Sequence, residues 1–407
     1  MAVVVLSPCN VANFPEGGGH FWVYMQYAQG LRQLGCDVYW MERFEPSADA
    51  DRDARLLSTF LERMASYGFA GKAVLYTSRG RPPGDGDSDE YLGVPRSEAE
   101  AIWRRADLLL NFHYAAAPAL LSRFRRTALV DIDPGLLQFW ISVGQLRVPR
   151  HDFYFTIGET VGTPTAQFPD CGRDWLYIHP PVCLDLWRFA HDPSCEAFTT
   201  VSSWWGAGKA GEESWVTDGK SVCYDNDKRI AFLEFIDLPR RTTQALELAL
   251  FLNNDPLDVS DRRLLESHGW RVRHSRDVAG IPEAYQSYVQ ASRGEFSCAK
   301  PSCMRFQNAW VSDRTLCYLA SGKPAVVQDT GPSSFLPNGE GLFRFSTAEQ
   351  AADALAIINA DYVRQCRAAR QIAEAYFDAE QVCERILNVA LHGSVSAIRA
   401  DPCCLTA

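Results

Sequence analysis

The sequence has no excess of basic residues: 40 Lys and Arg stand against 50 Asp and Glu, a formal net charge of −10. Such a chain repels a phosphate backbone and anionic lipid headgroups alike, so no nucleic-acid partner is expected. It also lacks any apolar run approaching the ~20 residues that span a bilayer, and its mean hydropathy of −0.18 agrees. No membrane insertion is expected. Residues 1–7 are apolar but have no basic n-region and are broken at Pro8, Cys9 and Asn10, so they read as a buried first strand rather than a signal sequence. The 13 cysteines are odd in number and irregularly spaced, which excludes a fully paired disulfide framework. A reducing, cytoplasmic setting is the expectation.

What is present is length and alternation. A chain of 407 residues with 47% hydrophobic content has room for two or three domains. A strand at 2–6 leads into a glycine-rich loop at 13–20, then a helix at 21–34 whose Tyr24, Tyr27, Ala28, Leu31 and Leu34 recur at helical spacing. Gly35 stops that helix before a strand at 37–41. The series continues with helices at 53–67, 98–105 and 116–124 and strands at 73–76, 107–111 and 127–131. Between them, the polar segment 78–90 has no apolar periodicity and reads as a surface loop.

This is α/β alternation with a parallel sheet, a Rossmann-like domain over 1–184. A Pro-bearing extended stretch at 177–187 marks the crossing to a second Rossmann-like domain over 185–375. Its strands are expected at 198–202, 243–250, 270–274, 294–297 and 324–328, with helices at 227–238, 260–268, 282–292 and 313–321. Residues 376–407 hold a last helix and a tail with Cys403 and Cys404. Two such halves hold a ligand between the carboxyl ends of their strands.

The most informative stretch is 310–331. Ser312 or Asp313 can cap a helix whose end is set by Gly322 and Pro324. A helix start facing a cleft is a phosphate site. Arg314 in its first turn opposes the helix dipole but suits a diphosphate.

Residues 317–327, a helix end running through Gly322-Lys323-Pro324 into a strand, resemble the C-terminal domain of GT-B glycosyltransferases, in particular bacterial natural-product enzymes that use nucleotide sugars. The resemblance implies two Rossmann-like domains facing each other across a cleft. Ser312, Asp313, Arg314 and Thr315 would then bind the diphosphate of the donor, and Asp329 and Thr330 its sugar hydroxyls. Where those enzymes place a glutamate for the ribose, this chain has Cys317. Asp313 or Glu295 are the candidate replacements, and Lys300 is a further cation for phosphate. Trp204, with Trp205 beside it, and Lys209, after the first strand of the second domain, are candidates for stacking and binding the donor, although tryptophans there are more often simply packed in the core.

A second resemblance lies in Gly19-His20 followed by Gly35. Inverting enzymes of this fold carry a Gly-His after their first strand, whose histidine deprotonates the acceptor. A pKa near 6.5 suits His20 to that role. The strand that often supplies an orienting carboxylate ends here in Asn111-Phe112-His113, without an acid, which leaves Asp131, with Asp133 beside it, as the substitute. Gly18, Gly19, His113 and Trp140 are the candidate acceptor contacts. The last helix is implied to cross back onto the first domain.

Other patterns carry less. Gly17, Gly18 and Gly19 do not have the Gly-x-Gly-x-x-Gly spacing of a dinucleotide site, and Glu42 is only a loose candidate for a ribose acid. Asp131-x-Asp133 does not make a metal site in a two-lobed protein, and Cys298 and Cys303 lack a second zinc pair. No metal and no cofactor beyond the nucleotide-sugar co-substrate are expected. The expected activity is metal-independent hexosyl transfer from a nucleoside diphosphate sugar, such as a UDP-sugar, to a small-molecule acceptor. The alternatives are nucleotide-sugar epimerisation on the same fold and silent nucleotide-sugar binding.

Overall fold

The apolar runs form central parallel strands because strands covered on both faces need side chains that tolerate burial on each. The computed structural model describes residues 1–78, 89–206, 214–217 and 222–393. In the first half, β1 (Val3–Ser7), α1 (Gly18–Gln33), β2 (Asp37–Arg43), α2 (Ala50–Ser66), β3 (Ala73–Ser78) and β4 (Asp89–Leu92) come first. They are followed by α3 (Arg96–Arg105), β5 (Leu108–Asn111), α4 (Pro118–Leu121), β6 (Thr127–Asp131), α5 (Leu136–Ser142), β7 (Phe153–Thr156) and β8 (Trp175–Tyr177).

These strands make one eight-stranded sheet in the order β4-β3-β2-β1-β5-β6-β7-β8. It is parallel except for the β3–β4 pair. The polar segment expected to be a loop thus ends in an edge strand, while its residues 79–88 lie outside the described residues. The helix expected over 116–124 is only α4, because the chain tightens after it into short turns, with Arg123 N–H donating to Leu120 O and Phe124 N–H to Leu121 O. Those turns bring the Phe124 ring 5.5 Å from Trp103.

The second half contains β9 (Ala197–Ser203), β10 (Trp215–Thr217), β11 (Val222–Asp225), α6 (Lys228–Glu234), β12 (Ala245–Phe251), α7 (Pro256–Ser267), β13 (Arg271–His274), α8 (Ser275–Ala279) and α9 (Pro282–Gln290). It continues with β14 (Gly294–Ser297), α10 (Pro301–Phe306), α11 (Asp313–Ala320), β15 (Ala325–Gln328), β16 (Leu342–Phe345), α12 (Ala348–Ala360), α13 (Tyr362–Tyr376) and α14 (Ala379–His392). Its six-stranded sheet runs β13-β12-β9-β14-β15-β16, with parallel pairing throughout. The antiparallel β10–β11 hairpin stands apart from it.

The chain passes between the halves twice at one place. Val182 N–H donates to Phe377 O at 2.7 Å and Ala379 N–H to Val182 O at 3.0 Å. The second passage delivers α14 onto α1, where Gly30 leaves room for the backbone of Ala379. On the other side of α1, the Trp22 indole donates to Pro282 O at 3.0 Å and its ring lies 5.0 Å from Trp187. Buried Gln26 accepts from Cys183 N–H at 2.8 Å. One hydrophobic core therefore runs from β1 and α1 through Trp187 and Tyr285 to α11 and α14. Among the described residues no helix is long and apolar enough to cross a membrane.

A Cβ added at Gly30 would sit 2.7 Å from Ala379 O, too close for backbone to absorb cheaply. Gly30→Ala should lower stability by about 1–3 kcal/mol despite the better helix propensity of alanine, read as a lower midpoint of denaturant unfolding.

Candidate active-site cleft

A cleft of about 1110 Å³ opens between the carboxyl ends of the two sheets. Its walls are the β1–α1 loop and the ends of β5 and β6 on one side. On the other are the end of β9 and the starts of α6, α10 and α11.

The second-half wall is cationic. Ser312 caps α11, its Oγ accepting from Arg314 N–H at 3.3 Å. That cap turns the Arg314 side chain inward, where its Nε donates to Glu295 Oε1 at 2.7 Å and a terminal nitrogen to Val201 O at 3.0 Å. Glu295 is fully buried behind Arg314 and does not line the cleft; it holds the guanidinium in place. Lys300, the residue before α10, lines the same wall.

Beside them lies Lys228, the first residue of α6, a position that the sequence pattern alone does not single out. It is 8% exposed, lines the cleft and has no hydrogen-bond partner among the described residues. Burial first, then the charges of Arg314 and Lys300, push its pKa down to about 7. A buried lysine crowded by two cations and left unpaired is organised for an anion. The available signal was its position at a helix start just after a strand.

The facing wall carries His20. Its Nε2 lies 2.8 Å from Cys9 O. A carbonyl can only accept, so Nε2 holds the proton and Nδ1 is left as the acceptor nitrogen. Burial lowers the His20 pKa against the opposing pull of the Cys9 carbonyl, Asp313 and Asp133, so the ring is neutral at neutral pH. Asp313 lines the cleft from α11, and burial raises its pKa. Among the described residues it is thus a carboxylate of the opposite half whose charge reaches His20.

The expectation that Asp131 orients His20 needs correction, since the Cys9 carbonyl does so. Asp131 is fully buried. It accepts from Gln138 Nε2 at 2.8 Å, Thr156 Oγ1 at 2.9 Å and Asp133 N–H at 3.0 Å. Burial raises its pKa to about 7. It shapes the turn that carries Asp133 to the cleft wall. Glu42 plays a similar part nearby, accepting from Val11 N–H, Ala12 N–H and Trp40 Nε1 to hold the loop that precedes α1.

Gly18, Gly19, His113 and Trp140 all line the cleft. The glycines also serve the approach of the halves: a Cβ on Gly18 would lie 2.5 Å from Ala279 O, and one on Gly19 2.8 Å from the Tyr285 ring. Among the described residues, His113 keeps a buried Nδ1 with no partner.

Other expected donor residues lie elsewhere. Trp204 is fully buried, donating to Asp261 at 2.8 Å, and its neighbour Trp205 lines the cleft instead. Bulk and the Asp261 partner draw Trp204 into the core. Lys209 lies outside the described residues. Thr315 faces a separate pocket of about 20 Å³ with Gln328 and Thr330. Thr330 Oγ1 donates to Trp310 O at 2.7 Å, and Asp329 is ion-paired with Arg344. None of Thr315, Asp329 and Thr330 lines the cleft; Asp329 and Thr330 are spent on shaping the loop after β15. Cys317 is turned to the seam, donating to Asp313 O at 3.4 Å and accepting from Gln26 at 3.9 Å. Among the described residues, no group of three or more His, Cys, Asp or Glu side chains is placed to hold a metal ion.

Removing one partner of a buried ion pair leaves an uncompensated charge. Glu295→Ala should therefore destabilise the protein by about 3–5 kcal/mol, and the double change Glu295→Leu with Arg314→Met should recover most of the loss in the same denaturation measurement.

No protein-family model matches the chain and no curated protein matches it. Solved structures do. An alpha-glucosyltransferase in complex with UDP and a 13-mer DNA superposes with a TM-score of 0.59 at 10% identity, over 96% of this chain and 99% of that one. HepE of Anabaena, in complex with UDP and glucose, gives 0.56 at 12% identity over 97% and 100%. AviGT4, a glycosyltransferase involved in avilamycin A biosynthesis, gives 0.52 at 15% identity over 97% and 99%. At such identities the likeness is one of fold, and nearly the whole chain has the GT-B glycosyltransferase fold.

Proposed function

We propose that the chain transfers a sugar from a nucleoside diphosphate sugar to a hydroxyl, or another nucleophile, of a small-molecule acceptor. The observation that carries this reading is the pairing across one cleft of Lys228, Lys300 and Arg314 with a neutral His20. The cations and the start of α11 receive the diphosphate. They stabilise it most as the bond to the anomeric carbon breaks and its electron pair leaves with the phosphate oxygen. His20 Nδ1 takes the proton of the acceptor as its oxygen bonds to that carbon. UDP in the alpha-glucosyltransferase and HepE complexes favours a UDP-sugar as donor. The net charge of −10 favours a small acceptor over a nucleic acid. The charge that a divalent ion would neutralise is met here by three side chains, which supports transfer without a metal.

Two measurements test the reading. Lys228→Ala should weaken UDP binding roughly 30-fold or more in isothermal titration. In the wild type, Lys228 is neutral above its pKa of about 7 in the empty site, whereas a bound diphosphate favours the ammonium. Affinity should then fall as pH rises above neutrality, approaching about tenfold per unit while one proton is taken up on binding. For the base, His20→Ala should lower turnover by about 10²–10⁴-fold with UDP affinity unchanged; turnover within a few-fold of wild type would remove His20 from the mechanism.

A further inference from the structure

The cleft is divided by charge. On the second-half wall, Lys228, Lys300 and Arg314 outnumber the single carboxylate of Asp313. Among the described residues the first-half wall has no lysine or arginine, and its charged members are Glu16 and Asp133. Arg43, whose charge reaches Cys9 and His113, does not line the cleft and is paired with Glu45 at 3.6 Å. The rest of that wall is largely aromatic and apolar, with Phe14, Tyr24, Phe112, Tyr114, Ile132 and Trp140.

Asp133 stands out within this wall. It is half-buried, and among the described residues its carboxylate accepts only from the Tyr114 hydroxyl, at a long 3.3 Å. Among the described residues no cation lies within ion-pair distance of it. A carboxylate that a ligand covers must be given a counter-charge or lose its hydration uncompensated. The aromatic and apolar side chains around that carboxylate call for a ligand that brings a ring as well as a positive charge.

We propose that the acceptor is a ring-bearing compound carrying a protonated amine, its ring on the aromatic wall and its ammonium at Asp133. The inference rests on the glycosyl-transfer reading above and names the acceptor class for it. An anionic acceptor is disfavoured twice: Asp133 and Glu16 repel it, and the opposite wall would draw it into the place of the donor diphosphate. Asp133 lies on the same wall as His20, and its charge reaches that ring, so an acceptor anchored there has its nucleophile within the region of the base.

The test uses three matched phenols, tyramine (cationic), tyrosol (neutral) and p-hydroxyphenylacetate (anionic), titrated by NMR into the full chain with and without saturating UDP. With UDP filling the cationic wall, tyramine should bind about tenfold more tightly than tyrosol, and p-hydroxyphenylacetate most weakly. Asp133→Asn should erase the advantage of tyramine while leaving tyrosol binding within twofold or so of wild type. Equal affinities of tyramine and tyrosol, a preference for the anion in the UDP-saturated protein, no binding of any of the three, or a tyramine preference that survives Asp133→Asn would each overturn the proposal. The donor reading is judged separately by titrating UDP alone: if UDP does not bind, that reading fails, while the amine preference is still read in the UDP-free protein.

Discussion

The site depends on how closely the start of α1 approaches the second half. Gly18 and Gly19 lie against the carbonyls of Ala279 and Ile281 and the ring of Tyr285, at distances that no side chain could share. The same helix is held further along by Trp22, Gln26 and Gly30, which meet Pro282, Cys183 and Ala379. A single helix is thereby packed against both halves, and the residue after its two glycines is His20. The contact that joins the lobes and the histidine that lines the cleft are consecutive in the chain, so a loss of close approach at the glycines would move His20 as well.

Burial then sets the electrostatics in opposite senses on the two walls. His20 is held neutral by burial while its Nε2 is pinned by a backbone carbonyl. Lys228 is pushed toward neutrality by burial and by neighbouring cations, a cost in the empty site that an anion relieves. Arg314 stays charged because Glu295 lies behind it. A chain that is negative overall thus presents a local positive surface, made by placing Lys228 and Lys300 beside the Glu295-held Arg314 on one wall of the cleft. Asp133 does the converse on the other wall.

Much of this was legible locally. The Ser312 cap, the Gly322 stop and the strand after Pro324 depend on residues within a few positions of one another, and they fold as their pattern implies. The Gly19-His20 pair was legible for the same reason. What escaped was whatever required knowing a distant partner. Trp204 and Trp205 are adjacent and chemically alike, yet Asp261 and Asp258 on α7 decide their separate packing. Asp131 and Asp133 are two residues apart, and the contacts of Gln138 and Thr156 bury one while the other reaches the cleft. The edge strand β8 is only three residues long, and β4 opens on Asp89 and Glu90, so neither shows as an apolar run.

By itself the sequence determined the two α/β halves, the helix start at 312 and the glycine loop before His20, because hydrophobic period, capping and backbone freedom are properties of neighbouring residues. Only the tertiary structure decided that Lys228 joins Lys300 and Arg314, that Cys317 turns to the seam, and that the Cys9 carbonyl rather than Asp131 holds the histidine. Those outcomes depend on which side chains meet across two sheets, and burial and charge have no value until that meeting is made.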